Sequence, residues 1–291
     1  MAEDHPQYKD RLFNFIFGSE ENKAWTLSLY NAINGSNYTD PDAIEIATIR
    51  GIMYLGMQND VAFFITEEVN LFEHQSTYNP NMPLRLMQYA GNLYEKYIIE
   101  RKLNKYGKKL IKLPAPKLVV FYNGTDEQED ETILKLSDSF PEGADFDIEV
   151  KVRMLNVNYG RNRKLLEACK PLGEYAWIVQ EVRKNKIRED LDSAIDRAIT
   201  DMPGDFVIKP FLMAHRAEVK GMLFTEYKES EVMEMFKEEG RAEGRAEGRA
   251  EGILKTLAGL VRDGLLSVMD AASRAGLTEG EFTAQMAALG V

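Results

Sequence analysis

The spacing of apolar residues changes from one segment of the chain to the next, and each spacing predicts an element. Between residues 8 and 33, Leu12, Phe13, Phe15, Ile16 and Phe17 are followed by Ala24, Leu27, Leu29, Tyr30 and Ile33, a helical recurrence. Gly18-Ser19-Glu20-Glu21-Asn22 interrupts it, and Ser19 is placed to cap a second helix. After the turn cluster Asn34-Gly35-Ser36-Asn37, residues 44–55, 60–65 and 69–75 read as three short strands. Thr66-Glu67-Glu68 separates the last two at hairpin spacing. Pro80 and Pro83 lead into a polar–apolar periodic stretch from Leu84 to about Tyr106, which predicts an amphipathic helix. Pro116-Lys117-Leu118-Val119-Val120-Phe121-Tyr122 is a β-rich apolar run ending at Asn123-Gly124, a buried strand and its turn. Helix, three strands, helix, strand is a mixed α/β alternation.

Beyond this point the pattern loosens. Residues 125–147 read as an acidic loop with weak helical character, 148–157 as a further strand, and 165–175 and 188–201 as helices. A helix over 211–237 runs into Gly240-Arg241-Ala242-Glu243, repeated three times and ending at Gly252. As a helix this tract sets glycines, arginines, alanines and glutamates in four stripes, each drifting about 40° per repeat. Like charges at i,i+4 and four glycines make such a helix marginal alone, whereas a partner helix would meet Arg with Glu. A paired helix and an unstructured linker both fit. Gly276-Leu277-Thr278-Glu279 reads as a helix–turn–helix joint with Thr278 as N-cap. The expected organisation is one α/β domain over 1–220, a helix and repeat linker over 221–252, and a small helical tail over 253–291.

Composition narrows the class. The chain has 291 residues, one cysteine, three histidines and a net charge of −11. Its apolar and charged fractions are those of a folded soluble protein. No apolar run reaches the roughly 18–20 residues that span a bilayer, and the polar start around Glu3 and Asp4 is unlike a secretory signal. A cytoplasmic protein without membrane association is the expectation. Cys169 has no partner for an internal disulfide, and the histidines are too dispersed for a metal-binding helix. The acidic total hides a swing in sign. Residues 80–120 hold nine basic against two acidic side chains, while 121–150 hold one against ten. The basic stretch from Arg85 to Lys117 fits a solvated helix face, or a surface that tracks phosphates.

The hairpin holds the main candidate chemistry. Asp60 begins one strand, and Glu73 and Gln75 stand two apart near the end of the next, so they share a face while His74 projects away. A glutamate following Val69, Leu71 and Phe72 is costly to bury unless paired or metal-bound. An Asp and a Glu on neighbouring strands would offer hard oxygen ligands to Mg²⁺, with Mn²⁺ or Ca²⁺ as substitutes. A polar hairpin end with solvated carboxylates fits the same spacing. Cys169, Trp25 and Trp177 read as packed residues, and no phosphate-cradling glycine motif appears.

Taken together, several segments resemble the PD-(D/E)XK nuclease superfamily, and within it the Rpn-like, transposase-like group of recombination-promoting nucleases. They are Lys9-Asp10-Arg11-Leu12-Phe13, Asn59-Asp60-Val61-Ala62-Phe63, Leu71-Phe72-Glu73-His74-Gln75-Ser76, Pro83-Leu84-Arg85-Leu86-Met87-Gln88-Tyr89 and Pro116-Lys117 through Asn123-Gly124. The likeness covers roughly residues 8–157, and the C-terminal repeat resembles the group as well. It implies a restriction-endonuclease-like core (helix, three strands, helix, strand) with a helical C-terminal extension. It further implies a Mg²⁺-dependent DNA endonuclease in which Asp60 and Glu73 hold the metal. Gln75 stands where most of the superfamily has lysine, so it would orient water without supplying charge. Asp10 would add an acidic contact, or simply cap its helix. Arg85, Gln88, Lys102, Lys105, Lys108 and Lys109 are the implied DNA contacts, and the C-terminal region would form a homodimer. Recombination, a mobile element or phage defence would be the setting. A catalytically idle fold that binds DNA or protein is the alternative.

Overall fold

The computed structural model describes residues 12–47 and 61–288. Asp10, Asp60 and most of the strand expected over 44–55 lie outside the described residues. The chain divides into two compact units, Met1–Ser230 and Glu231–Val291.

The first unit is mixed α/β. Helices α1 (Leu12–Phe17) and α2 (Lys23–Asn34) are separated at the expected break, where a short 3-10 turn covers Glu20–Asn22. Ser19 caps that turn by position but makes no capping hydrogen bond, and Asn22 precedes α2. Gly35 ends α2 in the left-handed conformation (φ 64°), its N–H bonding the Asn31 carbonyl. Strands β1 (Ile44–Ile46), β2 (Val61–Ile65) and β3 (Glu68–Gln75) form an antiparallel meander. Helix α3 (Met82–Glu100) then crosses back, so β4 (Ala115–Tyr122) lies parallel to β3, pairing Glu73 with Val120 and Gln75 with Tyr122. Strand β6 (Lys151–Asn156) continues the parallel set, and β5 (Glu131–Lys135) closes the edge antiparallel to it. The six-stranded order is β1-β2-β3-β4-β6-β5.

The acidic segment expected to be a loop therefore contains a strand. Of the five β5 residues only Leu134 is buried, and Ile133 is 43% exposed. An edge strand with one apolar contact carries little of the alternation that marks strands.

Alternation sorts the rest of the sheet into two faces. Val69, Leu71, Val120, Tyr122, Val152 and Met154 lie under α3, which meets them with Met82, Leu86, Tyr89 and Leu93. Phe63, Phe72, Val119, Phe121 and Leu155 face α1, α2 and the helices that follow β6. Those are α4 (Arg163–Ala168), α5 (Lys170–Lys186), α6 (Leu191–Thr200) and α7 (Lys209–Ala214). The single stretch expected over 165–175 is two helices, because Cys169 (φ −119°) breaks the path between α4 and α5. Cys169 is fully buried, and desolvation pushes its thiol up to about 11. It should resist alkylation by iodoacetamide in the folded protein and react promptly in guanidinium. Equal rates in the two states would contradict its burial.

Helix α8 (Arg216–Arg262) includes the four-residue repeat, which is thus helical. Near its start, Asp196 on α6 accepts from Lys220 (2.6 Å) and Arg216 (3.1 Å), contacts that hold its carboxyl below the usual aspartate range. A depressed native pKa adds stability above the unfolded value, and that stability is lost as pH falls through the native one. Asp196→Asn should consequently reduce the acid sensitivity of urea unfolding below about pH 4 and leave its slope with pH unchanged near neutrality.

The second unit packs Leu257, Ala258, Ala271, Ala272 and Phe282 from the end of α8, α9 (Val268–Ala275) and α10 (Glu279–Ala288). Thr278 caps α10 as expected: its hydroxyl accepts the Glu281 N–H, and Glu281 accepts from the Thr278 N–H. No helix among the described residues is long and apolar enough to cross a membrane.

Candidate active site

Parallel β3, β4 and β6 end together, with Gln75, Tyr122 and Asn156 in register. Carboxyl ends of parallel strands are where open α/β sheets tend to place ligands. Most of the buried polar side chains among the described residues of the first unit gather here: Glu73, His74, Gln75, Asn123 and Asn156.

On the α3 side, Glu73 and Gln75 share a face, and both are buried. The Glu73 side chain is 5% exposed, and its Oε1 accepts from Arg85 Nη2 at 2.8 Å. Arg85 sits one turn before Tyr89 on α3, and the same Nη2 donates to the Tyr89 hydroxyl at 3.2 Å. Pro83 near the N-terminus of α3 costs no hydrogen bond there, and the buried Met82, Leu86 and Tyr89 fix the helix face that turns Arg85 toward Glu73. Gln75 directs its amide nitrogen to Met82 Sδ at 2.7 Å. Its carbonyl oxygen is thus the end that can receive a cation or a water proton.

The predicted residues do not all gather. Arg85 is engaged with Glu73, and Gln88 is exposed on α3 three residues further on. Lys102, Lys105, Lys108 and Lys109 are exposed in the loop beyond the C-terminal end of α3. At 1.5 Å per residue α3 itself ends about 22 Å beyond Arg85, and the loop that carries these lysines turns back from there. Lys105 is also ion-paired with Glu95. Tyr89 is buried in the core and still reaches Arg85.

Behind the sheet, on the other face, lies a polar chain that the sequence did not disclose. His74 is buried, stacks on Phe13 at 5.3 Å, and shares a 2.7 Å hydrogen bond between its Nε2 and the Tyr175 hydroxyl. Asn123 Nδ2 donates to that hydroxyl at 3.1 Å, and the Asn123 carbonyl accepts from Arg183. Arg183 also donates to Asn158 Oδ1 at 2.7 Å, and Asn158 donates to the Gly124 carbonyl at 3.0 Å. A Cβ on Gly124 would come within 2.4 Å of the Ser76 carbonyl, so the Asn123-Gly124 turn lies directly against the chain leaving β3. The signal was the Asn-Gly pair after an apolar strand, but its partner Tyr175 is 52 residues away in sequence.

Among the described residues, no group of three or more His, Cys, Asp or Glu is placed to hold a metal ion. Glu73 is the one expected metal ligand that the structure describes. The chain matches no family model, no curated protein and no solved structure.

Proposed function

We propose that this protein is a metal-dependent DNA endonuclease of the PD-(D/E)XK type. The observation that carries the reading is a buried carboxylate, Glu73, set beside Gln75 on one face of a strand at the carboxyl edge of the sheet. The run of elements from α2 through β1, β2, β3 and α3 to β4 agrees with the order that the resemblance implies. Mg²⁺ needs only one or two carboxylates when waters complete its shell, so Glu73 with Asp60, joined by the Gln75 carbonyl, is a sufficient donor set. The bound metal would lower the pKa of water and neutralise charge on the phosphoryl group. Gln75 would hold the attacking water by its amide. Arg85 supplies the positive charge that glutamine lacks at the lysine position, and could turn from Glu73 to a DNA phosphate. Gln88 on the same helix and the lysines at 102, 105, 108 and 109 in the loop after it would contact DNA phosphates further along. The C-terminal region would bring two copies together, giving one site per strand.

The ion pair with Arg85 also favours a second reading, an idle nuclease fold that binds DNA or protein, because it compensates Glu73 without a metal. Supercoiled plasmid incubated with the full chain and Mg²⁺, beside Asp60→Ala and Glu73→Ala, separates the two. Nicking or linearisation by wild type and by neither variant is the expected outcome. No cutting by wild type with Mg²⁺, Mn²⁺ or Ca²⁺, on duplex or single strands, would leave the binding module.

A further inference from the structure

At the other end of the sheet, on the face carrying Phe72 and Phe121, there is an open cavity of about 730 Å³. That size falls within the range of small-ligand pockets. Its lining includes Ile33 at the end of α2 together with Val119 and Ile133 from the sheet. Two features of it are costly for the free protein.

Lys135 on β5 and Lys151 on β6 both line the cavity and stand directly opposite one another in the antiparallel register. Like charges in that position destabilise a strand pair. Neither lysine has an ion-pair partner among the described residues, although the neighbouring segment is rich in carboxylates. Glu149, for example, is held by Ser137. The other two cations on the lining are already matched, Lys117 by Glu68 and Arg153 by Glu131.

The second feature is Asn70. It is fully buried, it lines the cavity, and neither its amide nitrogen nor its amide oxygen has a hydrogen-bond partner among the described residues. It lies on the cavity side of β3, since Val69 and Leu71 face α3, and it pairs in register with Lys117. A buried amide without partners is unfavourable unless something polar can reach it. Lys117 is 45% exposed and can swing from Glu68 to open that approach.

We propose that this cavity binds a small phosphomonoester with a planar polar-edged group, of the nucleoside monophosphate kind. The phosphate sits between Lys135 and Lys151 and relieves their repulsion. The flat group lies over Val119, next to β3, where Asn70 offers one donor and one acceptor to its edge, the pattern by which an asparagine amide reads adenine. This site is independent of Glu73 and of the nuclease reading.

Titration calorimetry on the full chain with adenosine monophosphate, adenosine and inorganic phosphate tests it. The monophosphate should bind saturably, and each fragment at least about ten-fold more weakly. Lys135→Ala and Lys151→Ala, both at exposed positions, should each weaken the monophosphate about ten-fold or more while the melting temperature holds. Asn70→Ala should lose the preference for the monophosphate over inorganic phosphate without lowering the melting temperature; a purely structural asparagine would lower it. Absence of binding at millimolar monophosphate, equal affinity for inorganic phosphate, or affinity unchanged in both lysine variants would overturn the proposal.

Discussion

Arg85→Ala should lower the stability of the first unit by about 3 kcal/mol, read as a smaller urea midpoint at constant slope. The asymmetry of the pair sets that size. The arginine side chain is 33% exposed and would lose little by itself, but its removal takes the guanidinium from a carboxylate that is 5% exposed. Buried charge is expensive when its compensation is withdrawn, whereas a surface pair is worth roughly 0–1 kcal/mol. Glu73→Gln should cost less, because the amide oxygen still accepts from Arg85 and the charge left behind is the one that solvent partly reaches. Combining the two changes should give less than the sum, with a coupling of about 1–3 kcal/mol. A loss below about 0.5 kcal/mol for Arg85→Ala would mean that water screens the pair. Glu73 would then be open enough for a metal to compete easily, which sharpens the interpretation of any cleavage assay.

Phe121→Ala should be more damaging, about 3–5 kcal/mol by thermal or denaturant unfolding. Phe121 is fully buried next to the last residue of β4, with Phe13 at 4.8 Å and Phe72 at 5.3 Å between ring centroids. His74 stacks on the same Phe13, so the cavity would open beside the Tyr175–His74 hydrogen bond. Phe146→Ala provides the contrast. That ring is 46% exposed against Phe140, and its loss should stay within about 0.5 kcal/mol. If the two substitutions cost the same, the aromatic cluster is not the centre of the core.

Where an element buries one whole face, the sequence announces it. The period of Met82, Leu86, Tyr89 and Leu93 gives α3, and the dense apolar runs give β3 and β4. Strand β5 was hidden because its pairing with β6 is decided by residues 16 to 24 positions away, while its own composition is acidic and polar. The same reason hides the cavity: Lys135 and Lys151 are unremarkable until the register sets them side by side. At the candidate site, the shared face of Glu73 and Gln75 follows from strand alternation alone. The attachment of Arg85 does not, since it depends on where α3 crosses the sheet. A basic stretch looks uniform in sequence, yet the fold sends Arg85 inward and leaves Lys102 to Lys109 in an exposed loop.

Strand β6 lies between β4 and β5, although it is the last of the three along the chain. As the polypeptide emerges from a ribosome, β3 and β4 can pair once α3 is out, but β5 then has no strand to receive it. The outer edge of β4, with Val119, Val120, Phe121 and Tyr122, waits open until Lys151–Asn156 arrives. Non-local parallel pairing of this kind is slow to close and prone to capture by other chains. Truncation between residues 136 and 150 would therefore leave an apolar strand edge ready to pair with another chain, and full-length synthesis is what seals it.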